Sequence, residues 1–232
     1  MGKIVMGLSG GMDSATLLGE LLDKGMEVHC CIFQYGSTHG YYETTAAKKI
    51  IEYFQTGFPD KVFSYPIDIT PVMMAFSSNL LISCNGEIPE GHYNDENMRK
   101  TVVPGRNLIF ASVLAGLAES IGASQIALGV HSGDHHIYPD CRPEFIEALT
   151  ETVFQSSDWK VLVITPFLLE DKTSILKIGH GLTTPVPYEL TRTCYKNQFI
   201  SCGKCGSCRE RLEAFQNIGR PDPIQYEEEE GN

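Results

Sequence analysis

The stretch Ile4-Val5-Met6-Gly7-Leu8-Ser9-Gly10-Gly11-Met12-Asp13-Ser14 joins an apolar run directly to a helical pattern, and this junction decides the fold. Ile4 to Leu8 reads as a β-strand. From Ser14 to Lys24, Leu17, Leu18, Leu21 and Leu22 share one helical face, and Gly25 stands just past the end. Two adjacent glycines between strand and helix let backbone N–H groups approach an anion, and the helix N-terminus adds partial positive charge. Leu8, Ser9, Gly10, Gly11, Met12, Asp13 and Ser14 are therefore the candidate cradle for ATP phosphates, with hydroxyls from Ser9 and Ser14. Asp13 either caps the helix or helps to hold Mg2+. No lysine stands where a Walker A loop requires one. The competing reading is a tight turn with capping residues.

Outward from this junction, short apolar runs alternate with helical patterns. Val28–Phe33, Val62–Ile67, Ile126–Val130 and Val161–Ile164 read as further strands; Tyr41–Tyr53, Asn107–Ile121 and Pro143–Phe154 read as helices. Repeated β-α-β order with apolar, β-branched strands predicts an α/β fold, a doubly wound parallel five-stranded sheet of Rossmann-like type. Ligands of such sheets bind beyond the carboxyl ends of the strands, where the strand order reverses. The loops to inspect are Ser9–Asp13, Tyr35–His39 and His131–Arg142, all rich in polar residues or glycine. Periodicity fades between residues 78 and 104, which read as a long loop or lid.

The chain has 232 residues, 42% of them hydrophobic, which fits one α/β domain with a small appendage. Residues 1–185 are the expected nucleotide-binding domain, 186–220 a helical zinc-binding region and 221–232 an acidic tail expected to be disordered. No apolar run approaches the ~20 residues needed to cross a bilayer, and the N-terminus is too short and glycine-interrupted for a signal peptide. A cytoplasmic protein with no membrane partner is expected. The net charge of -11 lacks the footprint of a dedicated nucleic-acid binder, so a small-molecule substrate is favoured.

Half of the eight cysteines cluster as Cys194, Cys202, Cys205 and Cys208. A large chain without a secretory signal points to metal in a reducing compartment rather than to disulfides. Four soft thiolates suit a closed, tetrahedral, structural Zn2+ site, and Gly203 and Gly206 allow the tight turns it needs. An iron–sulfur cluster and buried free thiols are the alternatives.

Three further segments complete the pattern: Val103-Pro104-Gly105-Arg106-Asn107, Tyr138-Pro139-Asp140-Cys141-Arg142 and Leu190-Thr191-Arg192-Thr193-Cys194-Tyr195. Together with the Ser-Gly-Gly-x-Asp-Ser loop and the cysteine spacing, the chain resembles the 7-cyano-7-deazaguanine synthase family of the PP-loop ATP pyrophosphatase superfamily, over about residues 3 to 215. The resemblance implies the PP-loop, adenine nucleotide α hydrolase type of fold and a carbon–nitrogen ligase using ATP, 7-carboxy-7-deazaguanine and ammonia. The acid is adenylylated, ammonia displaces AMP, and a second ATP activates the amide oxygen so that the nitrile forms. The product is a precursor of queuosine-type tRNA bases. The family forms homodimers.

Residue roles carry over only at matching positions. Asp13, Arg106 and Lys172 are the catalytic candidates. Arg106 would bind phosphate or the substrate carboxylate, or fix the helix start at Asn107; Lys172 would steady charge on the leaving pyrophosphate, or be a solvated side chain. His39, Arg106, Asp134, Tyr138, Asp140 and Arg142 are the substrate-binding candidates, with the Asp140 carboxylate suited to the N–H donors of a guanine-like edge. The chain departs from the common family form at Tyr35–His39 and at His131–His136, which would line the substrate side. That departure motivates the alternative: a related PP-loop enzyme that stops at the amide or joins the activated deazaguanine to an amine of a macromolecular partner. A zinc-ribbon interaction module with a vestigial nucleotide site is a third, non-enzymatic reading.

Overall fold

Each apolar run of the sequence becomes a strand of one parallel sheet. The computed structural model describes residues 2–92 and 96–228. Strands β1 (Lys3–Gly7), β2 (Glu27–Gln34), β3 (Val62–Asp68), β4 (Gln125–Ala127) and β5 (Leu162–Ile164) lie in the order β3-β2-β1-β4-β5. All neighbours pair parallel, with Val5 of β1 opposite His29 of β2 and Ile126 of β4. Ile4, Val5 and Met6 are fully buried, as expected of a central strand covered on both faces.

Helices α1 (Met12–Asp23) and α2 (Gly40–Gly57) follow the first two strands, and a single turn, α3 (Thr70–Met73), follows the third. Then come α4 (Arg106–Ile121), α5 (Pro143–Ser156), α6 (Lys172–Gly181) and α7 (Gly206–Asn217). One face of the sheet packs Leu17 and Leu18 of α1, Ile50 and Phe54 of α2, Leu176 of α6 and Phe215 of α7 into a single core. The other packs Leu114 and Ala118 of α4 and Ile146 and Leu149 of α5 against Val5 and Ile126. Successive strands move one way from β1 to β3 and the other way from β4 to β5. The reversal lies between β1 and β4, where a crevice opens beyond their carboxyl ends.

Three details differ from the sequence expectation. β4 ends at Ala127, because Leu128 to Val130 leave the ladder to line this crevice. Residues 78–92 carry no helix or strand, yet they are anchored: Leu80 and Leu81 are fully buried, and Glu90 bridges to Cys205. A 3-10 helix, Glu96–Thr101, follows, and residues 93–95 of the expected loop lie outside the described residues. At the C-terminus the chain is packed further than an acidic tail suggests. Arg211 Nε donates to Asp222 Oδ2 at 2.7 Å, and Tyr226 is bridged to Ser201. Glu229 to Asn232 lie outside the described residues.

Candidate active site and metal centre

The crevice holds a cavity of about 210 Å³, floored by the Ser9–Ser14 loop and by Leu128–His131. The loop is held by its own hydroxyls. Gly11 N donates to Ser9 Oγ at 3.2 Å, Ser14 Oγ donates to Gly11 O at 3.1 Å, and the two hydroxyls lie 3.1 Å apart. Gly10 has φ +82°, and a Cβ there would come within 2.5 Å of the Glu43 carbonyl oxygen. No other residue fits, because the left-handed backbone and the close approach of α2 both exclude a side chain. Arg192 N donates to Gly10 O at 2.8 Å, so the segment before Cys194 buttresses the loop.

At the N-terminal end of α1 the loop meets a cluster of charges. Lys172, the first residue of α6, is 6% exposed in its side chain, with Nζ 3.2 Å from Asp13 Oδ2 and 2.8 Å from Glu210 Oε2. Lys172 is therefore no solvated lysine. Burial works against its charge, but the Asp13 and Glu210 carboxylates outweigh that and push its pKa up. Burial likewise opposes the Asp13 charge, yet the Lys172 ammonium and the His131 ring together hold its carboxyl below the ordinary value. Asp13 Oδ1 is a buried acceptor with no hydrogen-bond partner among the described residues, a carboxylate oxygen of the kind that Mg2+ takes as ligand. Asp134 differs. Burial pushes its pKa up, with Glu210 and Asp13 adding to the effect against His131, whose Nε2 is 3.5 Å from Asp134 Oδ2.

Aromatic and polar side chains from separate elements line the other end. Phe33 of β2 stacks on Phe110 of α4 at 4.1 Å, Tyr35 meets Phe110 edge-on, and the Arg106 guanidinium lies 5.9 Å from the Tyr35 ring centroid. Tyr138 OH lies 2.9 Å from Thr101 Oγ1 and 3.3 Å from Tyr195 OH. Glu43 presents a carboxylate to the same cavity, its oxygens 3.1 Å from the Ser37 hydroxyl and 3.3 Å from His39 Nε2. Cys141 also lines the cavity, but burial pushes its pKa far up, so its thiol stays protonated and is no nucleophile.

The structure thus brings Leu8 to Ser14 together with Arg106, Asp134, Tyr138 and Lys172 around one cavity, apart from Gly10, which is turned toward α2. Three candidates stand behind it. His39 is 1% exposed and backs Glu43 and Tyr195. Asp140 Oδ2 accepts from Asn107 N at 2.9 Å, so its carboxylate caps the start of α4. Arg142 Nε donates to His135 O at 2.9 Å across the loop after β4. Sequence reasoning singles out neither Glu43, Tyr195 nor Glu210. Glu43 carries the one available signal, a carboxylate four residues after His39 in the first turn of α2.

Cys194, Cys202, Cys205 and Cys208 are all buried, and their Sγ atoms lie within 4.8 Å of one another. The Cys202–Cys208 separation is 3.9 Å, close to the edge of a tetrahedron with metal–sulfur bonds of about 2.3 Å. Backbone N–H groups of Lys196 and Cys202 point at Cys194 Sγ, and those of Lys204 and Cys205 at Cys202 Sγ, at 3.3 to 3.4 Å. Donors aimed at sulfur favour the thiolate form that a metal ion requires. No further group of metal-ligand geometry exists among the described residues, the His131–His136 loop included.

A family model described as Queuosine biosynthesis protein QueC matches residues 3–219. A protein of Marinomonas sp. strain MWYL1 named 7-cyano-7-deazaguanine synthase is 44% identical over 97% of this chain and 98% of its own length. One of the same name from Methanoregula boonei is 43% identical, over 97% and 99%. Among solved structures, NMN synthetase from Francisella tularensis superposes with a TM-score of 0.50 at 16% identity, over 94% of this chain and 77% of that one, a likeness of fold.

Proposed function

The chain belongs to the Queuosine biosynthesis protein QueC family, and from this premise we propose that its cleft converts 7-carboxy-7-deazaguanine, ATP and ammonia into 7-cyano-7-deazaguanine by two adenylylations at one site. The observation that carries this reading is the convergence of the glycine loop, Lys172 and Arg106 on a single cavity.

A carboxylate resists amines because its oxygen is a poor leaving group, and transfer of AMP to that oxygen turns it into a good one. The loop's backbone N–H groups and the α1 N-terminus hold the phosphate chain. Lys172, charged and nearly buried, stands where negative charge grows as pyrophosphate departs. Arg106 and the tyrosines around it hold the substrate carboxyl toward the loop. Asp134, His39, Asp140 and Arg142 shape that end: Asp134 from the cavity wall, the other three from behind. Ammonia then attacks the acyl carbon and AMP leaves. The amide oxygen then attacks the α-phosphate of a second ATP and releases pyrophosphate, and loss of AMP with the amide oxygen and both nitrogen protons leaves the nitrile. Mg2+ would supply charge neutralisation at the phosphates when bound, and Asp13 would be its protein ligand. The four cysteines hold Zn2+ as a structural ion.

The test is mass spectrometry after incubation with ATP, Mg2+, ammonium and 7-carboxy-7-deazaguanine, with metal analysis alongside. Nitrile and one equivalent of zinc are expected. Amide without nitrile, from metal-loaded protein, overturns the second adenylylation.

A further inference from the structure

We infer that Glu210 is a positioning residue for Lys172, and that through it the cysteine centre sets the geometry of the phosphate site. The geometry stands by itself, while its kinetic readout rests on the function proposed above.

A buried ammonium needs carboxylate partners, and Lys172 has two, from different segments of the chain. Asp13, at 3.2 Å, belongs to the glycine loop; the closer partner, Glu210 at 2.8 Å, belongs to α7. That helix is fixed along its length. Cys205 stands at its N-cap and Cys208 in its first turn. Arg211, fully buried, donates to both Asp222 oxygens at 2.7 and 2.9 Å, to Thr191 Oγ1 at 2.6 Å and to Tyr188 O at 3.0 Å. Glu210 lies between Cys208 and Arg211, so neither the height nor the rotation of its carboxylate along α7 is free. The loop after β4 is built around it: Gly133 has no Cβ, and one there would run into Glu210 Oε1.

The consequence concerns what Lys172 does when phosphate arrives. Held by Asp13 alone, the ammonium would collapse onto the loop that must receive the phosphates. Glu210 pulls it back, so the cation stays beside the cradle and remains available to it. A second carboxylate near a polyphosphate weakens ground-state ATP binding by like-charge repulsion. Glu210 therefore serves the chemical step at some expense of ATP affinity, and these two effects separate in experiment.

The full-length, metal-loaded protein is compared with Glu210→Gln, Glu210→Asp and Glu210→Leu. Glu210→Gln is expected to lose about tenfold in kcat and Glu210→Leu about a hundredfold, with Glu210→Asp in between, while metal content stays at wild type. The KM for ATP is expected to fall, and calorimetric ATP binding, which needs no deazaguanine, to tighten in Glu210→Gln. The inference is overturned by kcat within about twofold of wild type in both Gln and Leu variants. It is equally overturned by ATP binding that does not tighten in Glu210→Gln, or by kcat loss that appears only with loss of metal. If Glu210→Leu does not fold, Glu210→Gln decides. Absence of nitrile from the wild type strikes the proposed function, and the ATP-binding comparison then still decides the role of Glu210.

Discussion

The two ends of the cleft are built by different means. The end proposed for phosphate is built around one contiguous stretch, Ser9 to Ser14, whose shape is fixed by hydrogen bonds within a few residues. The opposite end is collected from β2, α2, α4, the loop after β4 and the segment around Tyr195. Backbone recognition tolerates little change, since a dipole array cannot be substituted residue by residue. Side-chain recognition is open to exchange of single members. Of the two segments that the sequence reads as departing from the common family form, Tyr35–His39 falls in the second region, whereas His131–His136 reaches the charge cluster beside Asp13 and Glu210.

The sharpest test of this contrast is Lys172→Ala, which removes the buried ammonium beside Asp13. A loss of about 10²- to 10³-fold in pyrophosphate release is expected. Next is Gly10→Ala. Strain at φ +82° and the clash with the Glu43 carbonyl are expected to cost about 1–3 kcal/mol, a fall of several degrees in Tm, and to raise the KM for ATP about tenfold. At the other end Arg106→Gln is expected to raise the KM for 7-carboxy-7-deazaguanine about tenfold, roughly 1.4 kcal/mol, with the KM for ATP changed no more than about twofold. Equal changes in both constants would mean that the two ends do not bind separately. Asp140→Ala is expected to lower stability by about 1 kcal/mol through the start of α4, and to raise the KM for the acid less than Arg106→Gln does. The reverse order would put Asp140 on the substrate.

The smallest effect belongs to Asp134, whose pKa burial holds above 3.8. A raised carboxyl favours the protonated form in the folded protein, so its stabilising contribution is present below the unfolded pKa and lost as pH rises through the folded one. Asp134→Asn removes the penalty of the buried charge. The variant is expected to melt higher than wild type near neutral pH, with the difference closing as pH falls toward 4, measured by thermal melts across that range.

Much of the fold was legible because its signals are local. Apolar runs of strand length, leucines at helical spacing and glycines at the turns placed all five strands and four of the long helices within a few residues. α6 was missed although Asp171 is a sound N-cap, its side chain accepting from Ser174 N at 2.6 Å, because its apolar residues are few. From sequence, Asp140 reads as a base-binding carboxylate because its loop follows β4. Its direction is set by the start of α4, a segment more than thirty residues earlier, and no pattern near Asp140 records that partner.

The sequence alone determined the glycine loop, the cysteine quartet and the order of strands and helices, because each depends on residues within a turn or two of one another. Only the tertiary structure decided which carboxylates line the cleft and which stand behind it. Glu43 and Glu210 resemble any helix-surface glutamate in sequence, and Asp140 resembles a ligand. Burial against Lys172, His39 or the α4 N-terminus gives each its role, and those partners meet only when distant segments of the chain pack together.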